Sequence, residues 1–223
     1  YLLASRLYDK KVALVSAFIL AVSWIHLFYS VRIMTEAPSL FFILVSLYFF
    51  SSSFENLALR DFSLSILFLS LAILMRYQSG VIGFVYLIIL IAFHKHKLLS
   101  NKNFWIGGIL GVIPLLLFFG NNFVSEGSLF PAVDVYSQSA ADEGSFGYYV
   151  LSFISYILQG PFLIPFVLGL AIVLLEIVVG YSALLKIKKL KSHLLVILVL
   201  LFGLAFFIFI LKAAEDRYLF LIF

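Results

Sequence analysis

Long apolar runs separated by short polar segments make up most of the chain. About 20 apolar residues, with a range of roughly 17–25, cross a bilayer as a helix. Where a run is shorter, we expect the helix to extend a few positions into its polar neighbours. The predicted spans are 12–29, 38–51, 62–75, 79–93, 104–119, 161–185 and 194–211, with partial spans at 1–7 and from 218 onward. The pattern predicts an all-α transmembrane helical bundle of about seven full spans plus truncated ends.

The composition supports this prediction. Of the 223 residues, 64% are hydrophobic and 12% are charged, against roughly 25% charged in a soluble domain. Too little polar surface remains to cover a water-facing protein, so we expect an integral, multi-pass membrane protein. Cysteine is absent, which excludes disulfides and thiolate metal sites. Both chain ends fall in apolar stretches and no Met begins the chain, so we expect a fragment of a longer protein.

The basic residues predict an orientation, because Lys and Arg collect in cytoplasmic loops. Alternate connections between spans hold eleven of them, and the intervening connections hold four. The eleven are Arg6, Lys10, Lys11, Arg60, Lys95, Lys97, Lys102, Lys186, Lys188, Lys189 and Lys191; the four are Arg32, Arg76, Lys212 and Arg217. We therefore place the first set on the cytoplasmic side and Glu36 on the outer side. We expect the protein to lie in the plasma membrane. Because the basic residues collect on one side of the membrane, the net positive charge does not indicate a nucleic-acid partner.

The longest connection between spans is polar, rich in Ser and Gly, and covers residues 120–147. The stretch that follows, 148–159, is aromatic and only modestly polar. Since Tyr rings favour the membrane interface, we predict an outer loop followed by an interfacial helix within 120–160. No linker divides the chain, so residues 1–223 are expected to form a single transmembrane domain.

The heptad Arg32–Pro38 places a cation, an acid and a proline between two spans. Charged residues cost on the order of 2.5–3.5 kcal/mol at a helix centre, so this segment is either a surface loop or a site. Glu36 could serve as a general base, bind a divalent cation, or orient a sugar hydroxyl. Alternatively, Thr35 and Glu36 cap the next helix, and Arg32 pairs with Glu36 across one turn.

Two further groups of charges fall on the same predicted side. Arg76 ends its span and could contact a lipid phosphate through its planar fork, or simply extend to the interface. Glu215, Asp216 and Arg217 lie together at the end of a late span, as a polar site or as a solvated loop. In another span, the Gly107-x-x-x-Gly111 spacing would let two helices approach closely.

These segments resemble the GT-C membrane glycosyltransferases, in particular protein O-mannosyltransferases and the bacterial enzymes that add aminoarabinose to lipid A. The likeness covers nearly the whole chain, and short motifs carry it in order. They are Arg6–Leu14 running into Phe28–Pro38, then Leu71–Tyr77 and Asp216–Leu219. The family often has an acid followed by Pro at the first of these, a Leu-Thr-Lys-like end at the second, and an Arg-Tyr-Leu opening at the third.

The resemblance implies transfer of a sugar from a polyprenyl-phosphate donor to a protein, lipid or glycan acceptor on the outer face. It implies that Glu36 stands near the acceptor or a metal, Arg76 near the donor phosphate, and Arg217 in the same cavity. Arg76 replaces the family's usual lysine. The family's main catalytic acid would precede Tyr1, so the fragment alone is expected to be inactive.

Two matters stay open on the sequence. A divalent cation, Mg²⁺ or Mn²⁺, is an optional cofactor, with Glu36 as its candidate ligand. The alternative function is a transporter or flippase of lipid-linked or small substrates. That function favours polar groups near the middle of the bilayer, whereas the spans here are almost free of charge.

Overall fold

The computed structural model describes residues 1–22, 27, 30–31, 35–53, 56–129, 195–199 and 202. Every regular element in these ranges is helical, which confirms the all-α class. The α-helices are α1 (Leu2–Leu7), α2 (Lys10–Val22), α3 (Glu36–Ser53), α4 (Leu59–Met75), α5 (Val81–His94) and α6 (Lys102–Glu126). Two 3₁₀ turns, Tyr77–Gly80 and Lys95–Leu98, flank α5, and residues 195–199 are also helical.

Three helical segments of the described part are long and apolar enough to cross a membrane. They are Glu36–Ser53, Tyr77–His94 and Lys102–Glu126. The chain is therefore an integral membrane protein, as its composition predicts. The predicted spans at 161–185 and from 218 onward lie outside the described residues, as do most of 194–211 and the end of 12–29. The total of seven spans thus remains a prediction.

The helices extend into polar neighbours, as the short apolar runs predict. Pro38 lies in the first turn of α3, where a backbone N–H has no partner within the helix. Helix α6 begins after Asn101, whose side chain accepts a hydrogen bond from the Asn103 N–H at 2.9 Å. It ends at Gly127, which has φ +69°. Residues 120–126, assigned to the outer loop on the sequence, are helical because α6 continues to this glycine cap.

Helix α4 packs most extensively against α3 and α6. Its contact with α6 is close because two glycines of α6 lie against it. A Cβ added at Gly107 would stand 2.8 Å from Phe62 Cδ1, and one at Gly111 would stand 2.5 Å from Ile66 Cβ. Ser70 on α4 donates a hydrogen bond to the Gly111 carbonyl at 2.8 Å. The close approach predicted for the Gly107-x-x-x-Gly111 spacing is therefore confirmed.

Helices α3 and α5 meet through a buried aromatic pair. The rings of Phe50 and Tyr86 stack with centroids 3.7 Å apart and planes 5° apart. The Tyr86 hydroxyl shares a 2.7 Å hydrogen bond with Ser46, which also donates to the Ser65 carbonyl at 2.7 Å. A polar side chain buried among apolar helices needs such partners. This cluster therefore ties α3, α4 and α5 together within the core.

The pairing of residues sets the direction of each helix. Ser39 contacts Ala72 and Ser46 contacts Ser65, so α3 and α4 run antiparallel. The end of the bundle that carries Glu36, hereafter the Glu36 end, holds the N-termini of α3 and α5 and the C-termini of α4 and α6. The opposite end holds the basic positions Arg60, Lys95 and Lys102. This separation of charges is the one that Lys and Arg counting predicts.

Candidate functional site

Glu36 is the first residue of α3, so its carboxylate lies at the positive end of the helix dipole. Thr35 precedes the helix, and its carbonyl accepts the first hydrogen bond of the helix, from the Ser39 N–H at 3.0 Å. Thr35 therefore occupies the N-cap position predicted for it, and Glu36 lies in the first turn of the helix. The Glu36 side chain nevertheless does not face water, because only 6% of its surface is exposed.

Arg76 lies at the break between α4 and the 3₁₀ turn Tyr77–Gly80. Its backbone is extended, with φ −149° and ψ 117°, which stops the helix at Met75. Its N–H still donates to the Ala72 carbonyl at 2.8 Å, and its own carbonyl accepts from the Ser79 N–H at 3.0 Å. This local geometry turns the guanidinium inward, so the side chain is 7% exposed. The interpretation of Arg76 as an arginine extending to the interface does not fit that burial.

Arg76 and Glu36 form a buried ion pair, with Nη1 3.0 Å from Oε1. The guanidinium also donates from Nε to the Gln78 side-chain oxygen at 3.2 Å. Removing charges from water is costly, and a buried pair is often no more stable than apolar side chains of similar volume. Ionisable groups inside a membrane protein are by default candidates for function. We therefore take the pair as the centre of the candidate site.

Two serine hydroxyls join the elements that carry the ion pair. Ser39, three residues after Glu36, shares a 2.8 Å hydrogen bond with Ser79, three residues after Arg76. The Ser39 hydroxyl also reaches the Ala72 carbonyl at 3.4 Å. Both serines are almost fully buried. The first turn of α3 and the turn around Arg76 are thus joined by a hydroxyl bridge as well as by the ion pair.

The comparisons with known proteins gave one family match. Residues 1–119 match the family described as dolichyl-phosphate-mannose-protein mannosyltransferase. The matched segment is more than half of the 223 residues and includes both Glu36 and Arg76. The chain belongs to this mannosyltransferase family. No curated protein and no solved structure gave a significant match.

Membership in the mannosyltransferase family confirms the resemblance found on the sequence. The family consists of membrane glycosyltransferases that use dolichyl-phosphate sugar donors. Of the site residues predicted, the structure brings Glu36 and Arg76 together. Arg32, Glu215, Asp216 and Arg217 lie outside the described residues, as do 130–160 of the predicted outer loop and interfacial helix. Their approach to the ion pair therefore stays a prediction.

The sequence left a divalent cation at Glu36 as an optional cofactor of this mannosyltransferase-family chain. Among the described residues, no three His, Asp or Glu side chains come together as metal ligands. A guanidinium 3.0 Å away already neutralises the carboxylate, which disfavours a divalent cation at the same oxygen. A divalent cation near Glu36 stays a prediction from the sequence, and no chemical step is assigned to a metal.

Three residues around the ion pair were not singled out from the sequence: Gln78, which bonds Arg76, and the bridging serines Ser39 and Ser79. A signal was present, because each serine follows its charged residue by three positions, which places it near the same face of a helical turn. The pairing itself could not be seen. Ser39 and Ser79 are 40 residues apart, and their contact depends on how α3 and α4 pack.

Proposed function

We propose that the protein transfers a sugar from a dolichyl-phosphate-type polyprenyl carrier to a protein, lipid or glycan acceptor on the outer face of the plasma membrane. The buried Glu36–Arg76 ion pair carries the assignment of the site. It stands at the end of an apolar bundle, where the phosphate of a membrane-anchored donor would lie. Family membership supports the donor class.

The reaction requires one bond to form and one to break. The acceptor hydroxyl oxygen bonds to the anomeric carbon of the sugar, while the bond from that carbon to the phosphate oxygen breaks. The electron pair leaves with the polyprenyl phosphate, and the hydroxyl proton passes to a base. Positive charge beside the departing phosphate stabilises the transition state. Arg76 supplies such a charge, and its planar fork suits phosphate oxygens.

Glu36 has a different role in this proposal. Its carboxylate holds the Arg76 guanidinium from one side, while Gln78 holds Nε. These two contacts restrict the guanidinium, which orients it before the donor binds. Glu36 also marks the side from which the acceptor approaches. Arg32, Glu215, Asp216 and Arg217 are proposed to complete the walls of the cavity.

The experiment measures sugar transfer by the full-length protein in native membranes, with radiolabelled dolichyl-phosphate mannose as donor. Glu36→Gln and Arg76→Ala should each lower the rate at least about 100-fold, the scale seen when one transition-state donor is removed. Arg60→Ala is the matched control, since Arg60 is exposed at the opposite end of the bundle. Each variant is quantified in the membrane first.

Transfer at the wild-type rate by both site variants, at equal protein level, would refute the role of the pair. GDP-mannose serves as a second donor in the same assay. A nucleotide sugar that is used directly, without a lipid carrier, would refute the proposed donor class.

A further inference from the structure

The hydroxyl bridge between Ser39 and Ser79 connects the two elements that carry the ion pair. Ser39 belongs to α3 and follows Glu36 by one turn. Ser79 belongs to the 3₁₀ turn that follows Arg76. Their side-chain oxygens are 2.8 Å apart, with 0% and 1% of the two residues exposed. Burial in a low-dielectric environment makes such a hydrogen bond electrostatically stronger than it would be in water.

The hydroxyl bridge is also connected to the hydrogen bonds of the Arg76 backbone. The Ala72 carbonyl accepts both the Arg76 N–H at 2.8 Å and the Ser39 hydroxyl at 3.4 Å. On the other side, the Arg76 carbonyl accepts the Ser79 N–H at 3.0 Å. Ser39 thus contacts the turn before Arg76 and the turn after it. These hydrogen bonds form a closed ring that includes the N–H and carbonyl groups of Arg76.

We propose that Ser39 and Ser79 are positioning residues, which hold the first turn of α3 and the Arg76 turn in the register that sets the Glu36–Arg76 geometry. In this role the serines act through the two turns that they join, without a direct bond to the guanidinium or the carboxylate. Without the bridge, α3 can shift relative to the Arg76 turn, and the ion pair loosens. The catalytic consequence rests on the function proposed above, whereas the effect on the ion pair does not.

A second buried hydroxyl bond supplies a matched control. Ser46 follows Ser39 by seven residues on α3 and is equally buried. It shares a 2.7 Å hydrogen bond with the Tyr86 hydroxyl, also 40 residues away. Ser46→Ala and Ser39→Ala therefore remove the same kind of bond from the same helix. They differ in position on the helix: Ser39 lies about one turn from Glu36, whereas Ser46 lies about three turns from it.

The first test measures the ion pair without reference to sugar transfer. The fall in melting temperature caused by Arg76→Met is determined for the full-length protein in three backgrounds: wild type, Ser39→Ala and Ser46→Ala. Contacting groups in one network behave non-additively. We expect the fall to shrink to about half in the Ser39→Ala background and to keep its full size in the Ser46→Ala background. The same fall in all three backgrounds would overturn the proposal.

The second test measures kinetics with dolichyl-phosphate mannose. Ser39→Ala and Ser79→Ala should each lower kcat about 10-fold to 100-fold, the scale of a small misplacement at a reacting centre, with the donor KM almost unchanged. The double variant should be no slower than either single variant, since both remove one bond. Ser79→Thr, which keeps the hydroxyl, should recover most of the rate.

Ser46→Ala should keep the wild-type kcat. Equal losses of kcat in Ser39→Ala and Ser46→Ala would show a general packing effect and overturn the positioning role. If the melting test succeeds while no variant of the ion pair affects transfer, the bridge is upheld and the proposed function fails, so the two failures are distinguishable.

Discussion

Arg76 and Glu36 are each costly to bury, and each makes the other tolerable. Insertion scales put either charge alone at several kcal/mol in an apolar environment. The 3.0 Å contact between Nη1 and Oε1 offsets part of that cost. What the pair contributes to stability therefore depends on which charge is removed. Comparing the loss of one charge with the loss of both shows how much the pair contributes to stability.

Removing one partner should destabilise the protein far more than removing both. Arg76→Met leaves the Glu36 carboxylate buried and unpaired, so we expect a loss of about 3–5 kcal/mol in the free energy of unfolding. Glu36→Gln combined with Arg76→Met leaves no charge, and it should fall within about 2 kcal/mol of wild type. Unfolding followed in detergent by intrinsic fluorescence measures both. Equal losses in the single and double variants would contradict a coupled ion pair.

The sequence singled out both charged residues, because each interrupts or ends an apolar run. It could not show that they pair. Glu36 and Arg76 lie at the two ends of a helical hairpin. Their contact depends on how α3 and α4 pack, which the sequence does not show. The burial of Arg76 also depends on its extended backbone at the end of α4, which no pattern of apolar residues indicates.

At the scale of the elements, the contact of α4 with α6 depends on two small residues facing a neighbouring backbone. Gly111 allows the approach because a Cβ there would stand 2.9 Å from the Leu67 nitrogen. Gly108, three positions earlier, has open space instead. The same substitution at these two positions should therefore have opposite effects.

Gly111→Ala should lower the free energy of unfolding by about 1–3 kcal/mol, the usual cost of overpacking. Gly108→Ala should be neutral or stabilising by up to about 1 kcal/mol, because alanine favours a helix over glycine. Melting temperatures of the two variants in the same detergent give the comparison. If Gly111→Ala were as stable as Gly108→Ala, the close packing of α4 and α6 would be wrong.

The helices themselves could largely be predicted from the apolar runs, and so could the Gly107-x-x-x-Gly111 contact. The end of α6 could not. Gly120, Asn121 and Asn122 are typical of a loop, yet they are helical, with Asn122 buried against the bundle. A polar residue near the end of a span can remain helical when its neighbours pack, and the packing is not visible in local composition.

For the whole molecule, the charge distribution predicts which end faces the cytoplasm. Helix direction places Arg60, Lys95 and Lys102 at the end opposite Glu36. Lys and Arg favour the cytoplasmic side, so the Glu36 end is predicted to be outside. Since these 223 residues hold no cysteine, a thiol introduced among them is the single one in this segment and can report its side of the membrane.

Leu129→Cys and Leu99→Cys are a matched pair, since both leucines are exposed, one at each end of the bundle. In intact cells, a membrane-impermeant maleimide should label the thiol at position 129. The thiol at position 99 should react only after the membrane is permeabilised. The reverse pattern would place Glu36 and Arg76 in the cytoplasm and contradict an outer-face site.

The central claim is that the Glu36–Arg76 pair serves sugar transfer rather than folding. The most direct measurement is the transfer rate of the Glu36→Gln, Arg76→Met double variant with dolichyl-phosphate mannose, at the protein level of wild type. We predict a variant as stable as wild type to within about 2 kcal/mol and at least about 100-fold slower in transfer. A stable double variant that transfers sugar at the wild-type rate would contradict the account.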